Sequence, residues 1–81
     1  MKTSLDRLSL ADLTAGSAGL VSSVELAGLL RRRILDLGII PGTVVECIRK
    51  SPAGDPAAYY VRGATIALRH DDARQIKVSL L

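Results

Sequence analysis

The chain has 81 residues, 48% of them apolar, with a formal charge of +3. That length holds one small domain, read here as residues 1–81, and the apolar share argues for a packed globule and against disorder. Phe and Trp are absent, Tyr59 and Tyr60 are the aromatics, and Cys47 is the lone cysteine, which excludes an internal disulfide and a dithiolate metal site.

The first few residues read as frayed or lightly tethered, and Ser9-Leu10-Ala11-Asp12-Leu13 reads as a short turn that pins Leu10 and Leu13 into the core. After the turn signal Ala15-Gly16-Ser17-Ala18-Gly19, the run Leu20 to Leu26 is expected as a first strand. Its alternation puts Leu20, Ser22, Val24 and Leu26 on one face, with Val21, Ser23 and Glu25 on the other. Ser22 and Glu25 have capping-box spacing but fall inside that strand.

From about Ala27 the period changes. Leu30, Ile34 and Leu37 make one helical stripe, Leu29 lies beside it, and Arg31, Arg32 and Asp36 point away. Gly28 weakens the helix start by roughly 1 kcal/mol relative to Ala. Gly38 stops the helix in the left-handed region, with Ile39 supplying the apolar contact that accompanies such a cap.

Pro41-Gly42 suits the central positions of a type II turn, and Thr43 to Arg49 is strand-like. Ser51 to Pro56, with two prolines, is a loop. Ala57, Tyr59 and Val61 then alternate with Ala58, Tyr60 and Arg62, Gly63 turns the chain, and Ile66 and Leu68 continue the inward set. His70 to Arg74 reads as one helical turn with Asp71 or Asp72 near its positive end. Ile76, Val78 and Leu80 close the chain as a last alternating strand. The fold class is therefore mainly β: a small, partly open barrel of about five strands with one short helix between the first and second.

The punctuation from Leu10 to Val78 resembles the FeoA family, small cytosolic accessory proteins of bacterial ferrous-iron uptake. The resemblance rests on Ser9-Leu10-Ala11-Asp12-Leu13 with Gly16, then Arg33-Ile34-Leu35-Asp36-Leu37-Gly38, then Pro41-Gly42-Thr43. Gly54-Asp55-Pro56, Val61-Arg62-Gly63, Ile66-Ala67-Leu68-Arg69 and Ala73 with Ile76-Lys77-Val78 follow in order. Ala57 and Ala58 depart from the larger residues often seen after the Asp-Pro. The resemblance implies an SH3-like barrel that is a partner of FeoB, a membrane ferrous-iron transporter with a cytosolic GTP-binding domain. On that reading the chain is a non-enzymatic accessory protein that docks on a FeoB-type transporter and regulates it.

Exposure arguments place the docking surface at Leu29, Arg31 and Arg32 on the helix, with outward Tyr60 and Arg62. Gly38, Pro41, Gly42, Asp55, Pro56 and Gly63 are assigned to shape. No catalytic residue, cofactor site or resident metal site is expected. One His and one Cys cannot make a tetrahedral site, and no activated nucleophile or phosphate-binding glycine loop is present. His70 with Asp71 and Asp72 offers at most a weak exposed contact for a divalent ion such as iron, and Cys47 reads as a core residue.

No apolar run approaches the roughly 20 residues that span a bilayer, so the expected location is the cytoplasm, with no direct membrane insertion. The alternative function is a small basic barrel binding RNA or another nucleic acid through Arg31, Arg32, Arg33, Arg49, Lys50 and Arg62. Its weakness is the shortage of stacking aromatics, with Tyr60 alone to offer. A competing account is a barrel whose exposed residues serve solubility alone, with its function in a homo-oligomer.

Overall fold

The computed structural model describes residues 8–81, and the reading of the first residues as frayed lies outside them. A 3₁₀ turn at Leu10–Asp12 leads to strand β1 (Ala18–Val24), helix α1 (Gly28–Asp36) and strands β2 (Val44–Lys50), β3 (Ala57–Val61) and β4 (Ala64–Leu68). A single helical turn, α2 (His70–Ala73), precedes the last strand β5 (Ile76–Leu80). The strands form one antiparallel sheet in the order β4-β3-β2-β1-β5. The sheet curls around an aliphatic core without closing its ladder, so β4 and β5 are its two edges.

Backbone chemistry at the turns shapes this layout. Gly38 has φ +96° and donates its N–H to the Leu35 carbonyl (3.0 Å), while Ile39 N–H reaches the Ile34 carbonyl (3.2 Å). This pair of bonds is a Schellman motif, and the buried Ile34 and Ile39 supply its apolar contact. Across Pro41-Gly42, Thr43 N–H donates to the Ile40 carbonyl (3.0 Å), and Thr43 Oγ1 donates to the Gly38 carbonyl (3.0 Å). The helix end and the start of β2 are thereby tied together. At Leu10–Asp12 a capping box closes the turn: Ser9 Oγ accepts from Ala11 N–H, and Asp12 accepts from Ser9 N–H. Leu10 and Leu13 are buried as a result.

The β3–β4 hairpin has Arg62 at φ +49° and Gly63 at φ +85°, with Val61 paired to Ala64. Two central residues with positive φ make a type I′ turn, whose twist matches the flanking strands. Gly63→Val is expected to cost at least about 1–2 kcal/mol through backbone strain alone. No clash contributes, since a Cβ at Gly63 meets nothing within 4 Å. A thermal melt checks this: an unchanged melting temperature would contradict the type I′ assignment.

Three expectations require correction. The first strand begins at Ala18 rather than Leu20, and its inward residue is Val21 (2% exposed), with Leu20 turned outward (37%). A bulge between Val21 and Ser23, where β1 pairs with β5, adds a residue and reverses the parity. Leu26 still faces inward because it lies beyond the bulge. In the helical stripe Ile34 is buried, while Leu30 and Leu37 are half-exposed. Leu80 is also half-exposed, because it sits at the end of an edge strand with little sheet beyond it to cover it.

Candidate partner-docking site

Helix α1 is short and poorly capped. Its N-cap, Ala27, makes no side-chain bond, and nine residues are too few for stability alone. It is held by the insertion of Ile34 and by the Gly38 cap, and it presents more leucine than one stripe can bury. Leu29 is 85% exposed, the most exposed large apolar side chain among the described residues. With Gly28, Leu35, Arg31 and Arg32 it frames a shallow recess on the outer side of the helix. On the flank toward β4, Leu30, Arg33 and Leu37 face Ile66, Leu68 and Arg69 across a cleft of about 430 Å³.

The remaining predicted contact residues lie elsewhere. Tyr60 is half-exposed on the outer face of β3, paired in register with Glu46 on β2 and Thr65 on β4. Leu20 and Val44, opposite one another on β1 and β2, are exposed on the same outer side. Arg62 stretches over Gly38, and a Cβ built there would collide with Arg62 Cδ. The structure therefore brings Leu29, Arg31 and Arg32 together, sets Arg62 at the C-terminal end of α1, and leaves Tyr60 on the sheet.

The assigned shape residues sit at turns. Asp55 does more than turn the chain: its Oδ1 accepts from His70 N–H (2.9 Å), anchoring the 51–56 loop to α2. Sequence reasoning misses the exposure of Leu30, Leu37, Leu20 and Val44, and sets the first two in the apolar stripe of the helix. The excess of leucine in so short a helix was the available signal for the first two.

The basic residues do not converge. Arg31 and Arg32 line the outer recess, Arg33 the cleft toward β4, and Arg49 a separate hollow beside Pro56 and Ala57. Lys50 donates to the Ala11 carbonyl (3.0 Å).

Cys47 is fully buried, and burial pushes its thiol up, with the Lys50 ammonium pulling it down and Glu46 adding to the rise. A buried, protonated thiol is a poor nucleophile. Burial, then Cys47, Asp55 and Asp12, push the Tyr59 phenol up to about 12, while its hydroxyl donates to the Leu10 carbonyl (3.1 Å). Asp71 leans toward Arg74 (3.6 Å). Among the described residues no group of three or more His, Cys, Asp or Glu side chains gathers as a metal site, and no helix is long and apolar enough to cross a membrane.

A five-stranded antiparallel sheet curled around a small aliphatic core, with one short helix between its first two strands, defines an SH3-like domain. Residues 8–80 match the FeoA domain, and the chain belongs to the FeoA family, which is linked to ferrous-iron transport. It is 32% identical over 72 residues to a fusion of Fe(2+) transport protein A with the Fe(2+) transporter FeoB from Porphyromonas gingivalis, and spans 8% of that protein's length. The FeoA-like protein of Clostridium acetobutylicum superposes with a TM-score of 0.82 at 34% identity, covering 91% of this chain and 86% of that one. The zinc-complexed FeoA of Stenotrophomonas maltophilia, described as a procaryotic SH3 domain protein, gives 0.80 at 28% identity, with 89% of each chain covered.

Proposed function

We propose that this protein is a cytosolic, non-enzymatic accessory component of ferrous-iron uptake that docks on a FeoB-type transporter and regulates it by contact. The observation that carries this reading is Leu29, an 85%-exposed leucine flanked by Arg31 and Arg32 on a helix held by a single buried residue. The exposed leucine offers apolar area for a partner to cover, and arginine, which flanks it twice, is among the residues enriched in interface hot spots. The fused relative supports the choice of partner, since it carries transport protein A and the FeoB transporter in one chain. Docking centres on Leu29, Arg31 and Arg32, with Arg62 and Tyr60 as peripheral contacts. No bond is made or broken by this chain, and any nucleotide turnover belongs to the partner.

Calorimetric titration against the purified cytosolic region of the transporter, with and without guanine nucleotide, tests the proposal. Saturable binding is expected, weakened at least about tenfold by Leu29→Glu or by Arg31→Glu. Wild-type affinity in both variants would remove α1 as the docking face. Binding to single-stranded RNA with a steep salt slope, and none to the transporter, would replace the reading with nucleic-acid recognition.

A further inference from the structure

The two edges of the sheet are treated differently. The outer edge of β5 is covered: Val78 N–H donates to the Leu8 carbonyl (2.9 Å), and Ser9 bridges to Lys77. The outer edge of β4 has no such cover among the described residues, and no backbone bond outside the ladder involves residues 64–68. In a two-residue hairpin the closing pair, Val61 and Ala64, is hydrogen-bonded, and bonded pairs recur every second residue. Ala64, Ile66 and Leu68 therefore face β3 with their backbone groups, while Thr65 and Ala67 turn an N–H and a carbonyl each toward the open side. β4 also lacks the deterrents to pairing that a sequence can carry, since Ala64-Thr65-Ile66-Ala67-Leu68 contains no charge, no proline and no bulge.

This open edge borders the cleft described above. Three consecutive strand residues, Ile66 to Leu68, line it together with Arg69 just beyond, as expected where a strand presents its edge rather than one of its alternating faces. The opposite wall is α1, through Leu30, Arg33 and Leu37. We propose that this cleft takes an extended, acidic segment of a partner protein, which adds to β4 as a sixth strand.

Three features select that occupant. Unpaired N–H and carbonyl groups call for another backbone in extended form. The wall made by α1 bounds the open side as a cleft of about 430 Å³, a space that suits a short extended segment better than a second folded sheet. The charged groups lining the cleft are two guanidiniums, Arg33 and Arg69, against one carboxylate, Asp72, and the single ion pair among the described residues, Arg74 with Asp71, lies outside it. A second copy would bring the same excess of guanidiniums to the cleft, whereas a carboxylate on the incoming strand meets them favourably.

The proposal does not depend on which protein supplies the strand, so it is tested without the transporter. The probe is the synthetic peptide acetyl-Thr-Val-Glu-Val-Thr-Val-Glu-Val-amide, titrated into the isotopically labelled full chain and followed by amide resonances. The Thr65 and Ala67 amides are expected to shift and to gain protection from exchange. A peptide with Lys in place of Glu is expected to bind at least about tenfold more weakly, and Arg69→Glu to narrow or reverse that preference. Methylating alternate peptide nitrogens should abolish binding in one register and spare it in the other.

Thr65→Pro removes one edge donor at a position where proline is tolerated, and should lose binding while the melting temperature stays near that of the parent. Unmoved Thr65 and Ala67 amides at millimolar peptide, or equal affinity for both charges, would overturn the proposal. So would a shift of the same amides on concentrating the protein alone, which would make the occupant a second copy.

Discussion

Tyr59→Ala is expected to lower the melting temperature by at least about 12 °C, the largest effect among truncations of core side chains to alanine. Tyr59 is the largest fully buried side chain, 1% exposed, and it pairs in register with Cys47 on β2 and Ile66 on β4. Truncating a buried aromatic costs about 3–5 kcal/mol, against a total stability that for a domain of this size is on the order of 5–10 kcal/mol. The ring also carries a buried side-chain bond from the sheet to the Leu10–Asp12 turn, through the Leu10 carbonyl, beside the partly buried one from Lys50 to the Ala11 carbonyl. Tyr59→Phe separates the two contributions, since it keeps the packing and removes the bond, and should cost only about 1 kcal/mol.

The same phenol sets an alkaline limit. Its folded value, pushed up to about 12, lies above the unfolded value near 10, so its contribution is complete below pH ~10 and is lost as pH rises toward ~12. Denaturant melts across that window should show this loss in the parent chain and a shallower one in Tyr59→Phe. The Cys47 thiol, also raised, acts in the same direction in both.

Gly19→Val is expected to destabilise by about 1–3 kcal/mol or more, through crowding. A Cβ at Gly19 would lie 2.8 Å from Val78 Cγ2 and 2.9 Å from Val78 Cβ, and Val78 is buried on the neighbouring strand β5. Neither atom is the free end of a long side chain, so relief comes from separating β1 from β5. A double-mutant cycle makes this specific: Val78→Ala should recover part of the loss in Gly19→Ala, with a coupling of about 0.5 kcal/mol or more. Strict additivity, or a Gly19→Val chain that melts with the parent, would show that the strands are not packed this closely.

Much of the fold was legible because backbone chemistry is local. Gly38, Pro41-Gly42 and Gly63 each require a geometry that few other residues accept, and the alternation of Ala57, Tyr59 and Val61 needs no tertiary knowledge. The bulge at Val21–Ser23 was illegible for the opposite reason. Leu20, Ser22, Val24 and Leu26 alternate cleanly on paper, and nothing local reveals that β5 will meet β1 with one residue to spare. The half-exposure of Leu30 and Leu37 likewise depends on how closely α1 approaches β4.

Within the candidate site, the exposure of Leu29, Arg31 and Arg32 follows from their positions around the helix, and that of Tyr60 from strand parity. The packing of Arg62 over Gly38 joins segments that meet only in the folded chain, and the open edge of β4 depends on sheet order. Both lie beyond what spacing can express.

Amide-resonance mapping of the labelled full chain, titrated with the cytosolic region of a FeoB-type transporter, tests the docking proposal most directly. The expected result is saturable broadening or shift concentrated on α1, from Gly28 to Leu35, with Arg62 and Tyr60 affected less. Saturable binding that leaves α1 untouched, or no binding to that region and to the intact transporter, would contradict it.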